Sequence, residues 1–455
     1  MFNLLFKFNW NYYNLKFSSN LYVEIQEINM KYKAPRGTHD HLPKDENIWS
    51  YVQSIATETA KMFGFSQIST PMFEDTGLFK RAVGEETDVV QKEMYNFKDL
   101  GGNELTLRPE GTASVCRSFI EHGMHNEPYP LRLFYLEPMF RHERPQSGRL
   151  RQHHQFGVEI FGASGPETDI EIITLGLTYL SNLGIKNLNL KVNSIGSVES
   201  REKFKKAFTE YIKPNLMQLN EIDQKKFKLN PIRILDSKDK NLKGLIKNSP
   251  KPIEFLDDES KNHWDNFIDL LEPIVSNFKG ITYELDPDLV RGLDYYSKTV
   301  FEIEPTNSGL AQSSILSGGR YDSLIESIGG PKTPAAGFGS GIERIILNIK
   351  ESNNKNNIGP KLMIVPLSKN ALNKSLEIAF KIRDKKISTI VGSTDKSIKA
   401  QLRYANQISA ENVIILGDKE IQNGSGSIKN FITGKELDIQ LNEDSILEAI
   451  GINNG

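Results

Sequence analysis

The sequence predicts an α+β protein: a large mixed or antiparallel domain carrying a mostly helical insertion, followed by a smaller α/β domain. Three observations predict it. Strand signals between Phe65 and Ile349 are separated by turns and by helices of irregular spacing, which does not fit a regular parallel winding. From Ser197 to about Asn277 the texture changes to Lys, Asn and Asp with helix-spaced apolar residues such as Phe204, Phe208 and Ile212. After the polar stretch Glu351–Lys361, a β-α-β-α-β order follows over Leu362–Pro366, Ala371–Arg383, Ile387–Val391, Ser397–Ser409 and Val413–Gly417.

A chain of 455 residues exceeds one compact domain, so two or three are expected. Hydrophobic residues make up 38% and charged residues 25%, the balance of an ordinary globular chain. A net charge of −2 argues against coating nucleic acid in bulk, so any RNA contact must rest on local basic patches. The single cysteine, Cys116, excludes an internal disulfide framework and a cysteine-based zinc cluster, which fits a reducing, cytoplasmic compartment. No apolar run reaches the roughly 20 residues of a membrane helix.

Residues 1–29 stand apart. They are crowded with Phe, Asn, Tyr and Leu, and fit neither a signal peptide nor an Arg-rich presequence. The extension is expected to be disordered or untranslated, with Met30 as the start.

Taken in order, Lys44–Met62 predicts an amphipathic helix with Ile48, Val52, Ile55 and Ala56 on one face. Phe65–Phe73, with Pro71 inside it, predicts an edge or interface strand. Short strands are predicted at Glu93–Phe97 and Glu104–Leu107. The second runs into Arg108-Pro-Glu-Gly-Thr-Ala and a helix to Ile120, which sets Glu110 and Thr112 at the edge of a cleft. Leu131–Arg141 and Gln155–Phe161 predict two strands joined by a basic loop bearing Arg144, Arg149 and Arg151. In the second strand Phe156, Val158 and Ile160 face one way and Gln155, Gly157 and Glu159 the other, with Gly157 open to a ligand. Thr168–Leu183 predicts a helix and Asn187–Val192 a strand. Beyond the insertion, strands are predicted at Ile281–Leu285, Thr299–Ile303 and Ser313–Leu316, then a turn at Gly318–Tyr321. In Ala335–Ile349, Gly337, Gly339 and Gly341 alternate, leaving one face bare for a flat ring, and Arg344 projects away from the apolar stripe of the next helix.

No P-loop, Rossmann fingerprint, H-E-x-x-H or nucleophile elbow is present, and no metal site is expected from a local motif. What remains is Arg141, Arg291 and Arg344 at strand and helix ends. Together such guanidiniums can clamp a polyphosphate. Glu110, Gln155 and Glu159 offer the opposite polarity, suited to an ammonium or an imidazole. A site for triphosphate and a small cation points to adenylation of an amino acid.

At this point the chain resembles the histidyl-tRNA synthetases, of the class II aminoacyl-tRNA synthetases, from about Tyr32 to the end. FRHERPQSGRLRQHHQFGVEIFG is similar to motif 2 of that family, AAGFGSGIERI to motif 3, and the segment around Pro71 into LFKRAVGEETDVVQKEMYNF to motif 1. RGLDYYSKTVFE and SGGRYDSLI resemble its two histidine-specific signatures, and TLRPEGTA and NPIRILDSK match further segments. The resemblance implies an antiparallel sheet flanked by helices in a catalytic domain at 30–350, with the insertion at about 197–280. A linker at 351–361 and an anticodon-binding domain at 362–455 complete it. It implies a cytoplasmic homodimer joined through motif 1, with L-histidine, ATP accompanied by Mg2+, and tRNA(His) as substrates. Arg141 and Arg291 are then expected on the α-phosphate, Arg344 on the γ-phosphate and Glu143 on the adenine side. Glu110, Thr112 and Gln155 are expected on the histidine ammonium, and Glu159 and Tyr296 on its imidazole. Tyr295 and Tyr321 line the same pocket, Arg291 completes it, and Arg149 and Arg151 reach ATP and the tRNA end. Where the family often has Phe over the adenine, this chain has His153, implying a retained stack. Asn423–Ile428 also departs from the pattern. The alternative is a histidine-binding regulatory paralogue without aminoacylation, which would lack the last domain and the signature residues.

Overall fold

The computed structural model describes residues 32–144, 148–236, 240–306, 314–352 and 359–452. The extension, most of the linker and the tip of the motif 2 loop lie outside the described residues.

The chain opens with α1 (Glu46–Met62), β1 (Ser66–Gln67), β2 (Phe73–Asp75), α2 (Thr76–Val83), β3 (Tyr95–Lys98), β4 (Glu104–Leu107) and α3 (Thr112–Glu121). The hairpin β5 (Leu131–Phe140) and β6 (Gln152–Phe161) follows, then α4 (Pro166–Asn182) and β7 (Leu188–Ser194). Helices α5 (Val198–Ile212), α6 (Glu221–Leu229), α7 (Lys240–Lys247) and α8 (Asp258–Ser276) lead to β8 (Ile281–Leu285), β9 (Ser297–Pro305) and β10 (Leu316–Arg320). The short α9 (Leu324–Ser327), β11 (Ala335–Gly341) and α10 (Ile342–Ser352) complete this part.

Eight strands form one sheet in the order β1-β5-β6-β11-β10-β9-β7-β8. It is antiparallel except at its rims, where β1 runs parallel to β5 and β8 parallel to β7. Alternation along the strands decides which helices cover which face. Phe156, Val158 and Ile160 turn to a core shared with α1, α4, α8 and α10, through Val52, Ile172, Phe267 and Ile345. Leu133, Tyr135 and Phe161 turn to the opposite core with Phe79, Val115 and Phe119 of α2 and α3. Each fully buried Ile, Leu or Phe contributes about 1.5–3 kcal/mol, so a one-residue slip of β6 would exchange apolar for polar residues on both faces.

Several expectations need correction. The single edge strand over Phe65–Phe73 breaks at its centre, around Pro71. Ser66–Gln67 joins the main sheet, while β2 forms a separate three-stranded sheet in the order β2-β4-β3. Between them, Ser69 and Thr70 turn to the buried Glu137 carboxylate, which also pairs with the fully buried Arg108. The expected turn at Gly318–Tyr321 is mostly strand β10, and its glycines serve strand packing. A Cβ on Gly318 would lie 2.2 Å from the Gly337 carbonyl, and one on Gly319 2.5 Å from that of Thr299.

The lysine-rich region is helical as read, but packing divides it. Phe204, Phe208, Ile212, Phe227 and Leu242 form a small core of their own. Helix α8 instead sends Trp264, Phe267, Leu271 and Val275 into the main core. Entry and exit are pinned together: Asp257 accepts hydrogen bonds from Ser200 Oγ at 2.8 Å and from Ser197 Oγ. Both residues also cap helices, Ser197 taking the Ser200 amide and Asp257 the Ser260 amide.

Beyond the linker come β12 (Leu362–Pro366), α11 (Lys369–Asp384), β13 (Thr389–Val391), α12 (Ile398–Gln407), β14 (Asn412–Leu416), α13 (Asp418–Asn423), β15 (Ser425–Asn430), β16 (Glu436–Gln440) and α14 (Glu443–Ala449). The first three strands are parallel as expected, while β15 and β16 add antiparallel at the edge, so the sheet is mixed. The atypical segment at Asn423 is a helix end: Gly424 takes a left-handed φ of 66° and caps α13 before β15 starts.

Candidate active site

A cavity of about 610 Å3 opens on the β5–β6–β11–β10 face of the sheet. Strand β6 starts three residues earlier than expected, so His153 is a strand residue. The two-residue period sets it on the same face as Gln155, Gly157 and Glu159. His153 and Gln155 line the cavity with Glu110, Thr112, Arg141, Glu143, Arg149, Arg291, Tyr295, Tyr296, Tyr321 and Arg344. Twelve of the thirteen predicted residues therefore share one wall; Glu159 lies beneath it.

One end is positive. Arg141 leaves the end of β5, where its amide donates to the Arg151 carbonyl at 2.8 Å and its Nε to the Pro109 carbonyl at 2.7 Å. Arg344, in the first turn of α10, donates from Nε to the Gly148 carbonyl at 3.1 Å and from Nη1 to the Ser314 carbonyl at 2.7 Å. Arg149 pairs with Glu143 at 2.9 Å. Burial first, then the neighbouring Arg149 and Arg141, pull the Arg344 pKa below its ordinary value, although Glu143 opposes them. That is the crowding of positive charge that an anion relieves. Burial, Arg141 and Arg344 together push the His153 pKa down to about 3, so its ring is neutral and free to stack.

Arg291 comes from the loop between β8 and β9. Its Nη1 pairs with Glu302 of β9, its Nη2 donates to Ser317 Oγ of β10 at 2.8 Å, and its buried Nε has no partner among the described residues. The guanidinium lies 5.7 Å from the Tyr296 ring centre. Arg201 of the insertion fixes this loop by donating to the carbonyls of Asp294 at 2.8 Å and Tyr296 at 2.9 Å.

The other end is acidic and lined by phenols. Glu110 accepts the Thr112 and Ala113 amides at 2.8 Å, which caps α3 and fixes the carboxylate at the cavity edge. Burial pushes the Glu110 pKa up against those bonds. Glu159 is fully buried and accepts from Thr112 Oγ1 at 2.8 Å, Tyr135 OH at 3.4 Å and Tyr321 OH. Burial raises its pKa to about 8 despite these donors. Glu159 thus holds three side chains, Thr112, Tyr135 and Tyr321, that line the cavity.

Two readings of the glycines change here. The space over Gly157 holds the Tyr135 ring, whose Cζ would lie 2.1 Å from an added Cβ. Gly337 and Gly339 of β11 stand opposite Glu159 and Gly157 in the ladder. Added Cβ atoms there would lie 2.0 Å from Glu159 Oε2 and 2.6 Å from Gln155 Nε2. The bare face of β11 therefore accommodates polar side chains of β6.

Sequence reasoning missed Tyr135, Arg201, Glu302 and Ser317. Tyr135 alone carried a signal, since it falls on the face of β5 that pairs with the polar face of β6.

An antiparallel sheet carrying guanidiniums at one end of a cavity and carboxylates at the other defines an amino-acid-activating enzyme of the class II synthetase type. The family model for histidyl-tRNA synthetase matches residues 37–345, and that for the anticodon binding domain residues 361–448. The histidine–tRNA ligase of Caldanaerobacter subterraneus subsp. tengcongensis is 40% identical over 90% of this chain and 98% of its own. That of Caldicellulosiruptor bescii is 41% identical over 90% and 97%. The structure of apo S. aureus histidyl-tRNA synthetase superposes with a TM-score of 0.75 at 33% identity, covering 92% of this chain and 99% of that one. The chain belongs to the histidyl-tRNA synthetase family and is an aminoacyl-tRNA synthetase.

Proposed function

We propose that this cavity runs the two-step histidine–tRNA ligase reaction with its residues divided by charge. Histidine's ammonium meets Glu110, Thr112 and Gln155. Its imidazole meets Tyr296 and the acidic end anchored by Glu159, which acts with the Tyr321 hydroxyl that it holds, while Tyr295 closes the side. The histidine carboxylate attacks the α-phosphorus of ATP; the new C–O–P bond forms as the bond to pyrophosphate breaks. Arg141 and Arg291 stabilise charge on the α-phosphoryl oxygens, Arg344 holds the γ-phosphate, and Arg149 with Glu143 and the neutral His153 position the nucleotide. In the second step a hydroxyl of the tRNA terminal adenosine attacks the activated carbonyl, and AMP leaves with the bonding electrons.

The family uses ATP with a divalent metal, and Mg2+ is the proposed companion of this substrate. Glu143 and Glu302 at the cavity supply oxygen donors of the type that Mg2+ takes, so the donor set fits. Bound there, the ion would neutralise phosphate charge, while the arginines orient the reacting phosphorus.

The observation that carries the reading is the opposed polarity of one cavity, with guanidiniums from β5, α10 and the β8–β9 loop at one end and the Glu110 carboxylate of the α3 entrance at the other, above the buried Glu159 of β6. ATP–pyrophosphate exchange with each standard amino acid tests it. Histidine alone should support exchange; equal exchange with another amino acid, or none with histidine, would overturn the assignment. A match to the anticodon binding domain over 361–448 speaks against the regulatory alternative.

The separate cores support a catalytic domain at 30–350, a linker at 351–361 and an anticodon-binding domain at 362–455, with tRNA(His) as the partner of both. Homodimerisation through the segment resembling motif 1 is supported by the exposed Met72, Phe73 and Phe97 of the small sheet. Among the described residues no helix is long and apolar enough to cross a membrane; the cytoplasmic site of action is proposed from the family resemblance alone.

A further inference from the structure

The chain carries no local metal-binding motif, yet the fold assembles three potential ligands from distant segments. His41 comes from the loop before α1, His154 from β6 and Glu343 from the first turn of α10. Their ligand atoms all lie within 4.8 Å of one another. A tetrahedral zinc site spaces its ligand atoms about 3.3 Å apart, given bonds of about 2.0–2.1 Å. The His154 Nδ1 to Glu343 Oε1 separation is already 3.0 Å. The exposed His41 ring needs only a small adjustment to close the set.

The ligands are also held by contacts other than those between their ligand atoms. Both Glu343 oxygens accept the His154 backbone amide at 2.9 Å, so the carboxylate keeps its place when the imidazole turns to an ion. The His41 ring stacks on Trp49 of α1 at 3.8 Å between centroids, and the two histidine rings stand 4.9 Å apart. Such outside support is what holds ligands in metal sites.

We propose that His41, His154 and Glu343 form a binding site for a divalent transition ion of the zinc class, with water completing the coordination. Two imidazoles and one carboxylate suit Zn2+, Co2+ or Ni2+, whereas Mg2+ prefers oxygen-only sets. The site is separate from the phosphate-bound Mg2+ of the reaction: His154 faces the other side of β6 from His153 and Gln155, and only Glu343 of the three also lines the cavity. An ion there ties the entrance loop to β6 and α10, the elements that carry the ATP-side residues.

The test titrates the metal-stripped full chain with Co2+ in the absence of nucleotide, reading visible d–d absorption, then displaces it with Zn2+ by calorimetry. The expected result is one ion per chain. Excess Mg2+ should not compete, and Zn2+ should raise Tm. His41→Phe keeps a ring on Trp49 at an exposed position, so folding is spared; it should weaken binding by about tenfold or more and abolish the Tm rise. No stoichiometric ion, displacement by Mg2+, or an unchanged affinity in His41→Phe would overturn the proposal, leaving the cluster a hydrogen bond and a ring stack.

Discussion

Replacing Arg291 by alanine removes a pair with Glu302, a 2.8 Å bond to Ser317 and the positive charge brought to the cavity by the β8–β9 loop. Two costs follow and can be separated. The side chain of Glu302 is 23% accessible and that of Arg291 16%, so the stranded carboxylate is partly rehydrated. The loss of stability should then fall below the roughly 3–5 kcal/mol of a fully buried broken pair, at about 1–3 kcal/mol. On the reaction, loss of one preorganised charge at the α-phosphoryl group costs about 10²–10³ in rate, or about 2.7–4 kcal/mol. Histidine-dependent ATP–pyrophosphate exchange should drop by that factor, while histidine affinity, measured by calorimetry without ATP, changes far less. Arg291→Lys should recover only part of the rate, because an ammonium cannot serve Glu302, Ser317 and phosphate together. Near-normal exchange in a folded Arg291→Ala protein would refute the role assigned to this residue.

Three further variants have expected outcomes. Glu159→Gln should raise the histidine KM by about tenfold or more, since the amide replaces a carboxyl oxygen that accepts from Thr112 or Tyr321 with an NH2 that cannot accept; an unchanged KM in steady-state exchange would count against it. The same variant tests linkage. With a folded pKa of about 8 against an ordinary 4.5, Glu159 contributes stability that is full below pH 4.5 and lost as pH rises toward 8, so the variant should flatten that slope in chemical denaturation. Arg108→Met should cost about 3–5 kcal/mol in urea unfolding, because it leaves Glu137 buried beside Thr70 without its cation. His153→Phe should keep exchange and lower the ATP KM a few-fold, about 0.5–1 kcal/mol for a better stack; a rise in KM would show that the imidazole makes a polar contact instead.

The sheet was legible where burial forces alternation. Phe156, Val158 and Ile160 fixed the faces of β6, and the last domain announced itself through its regular winding. The split of Phe65–Phe73 was hidden because the buried Glu137–Arg108 pair that fills the gap comes from two later segments. The same limit applied to α8, whose apolar spacing matches α5 although Phe267 and Phe208 enter different cores. Within the site, charge type was readable and support was not. Arg201, Glu302 and Ser317 act on Arg291 and its loop from other elements, and no spacing in the chain links them. His41, His154 and Glu343 are another such set. Glycines misled for a related reason: their pattern showed that space was needed, but not that Tyr135, Glu159 and Gln155 would take it.

At position 337 the smallest substitution the genetic code offers exchanges one hydrogen for a methyl group. That methyl would meet Glu159 Oε2 at 2.0 Å and the Val158 carbonyl at 2.3 Å. A carboxylate can swing aside, but a carbonyl in a strand ladder can move only if its strand moves. At position 339 the three nearest atoms all belong to the flexible Gln155 side chain, which makes it the more forgiving of the two. Mutational tolerance along β11 should therefore be graded by whether the neighbour is backbone or side chain. An inherited alanine at 337 would be as damaging as the loss of a charged residue, although it removes no chemistry.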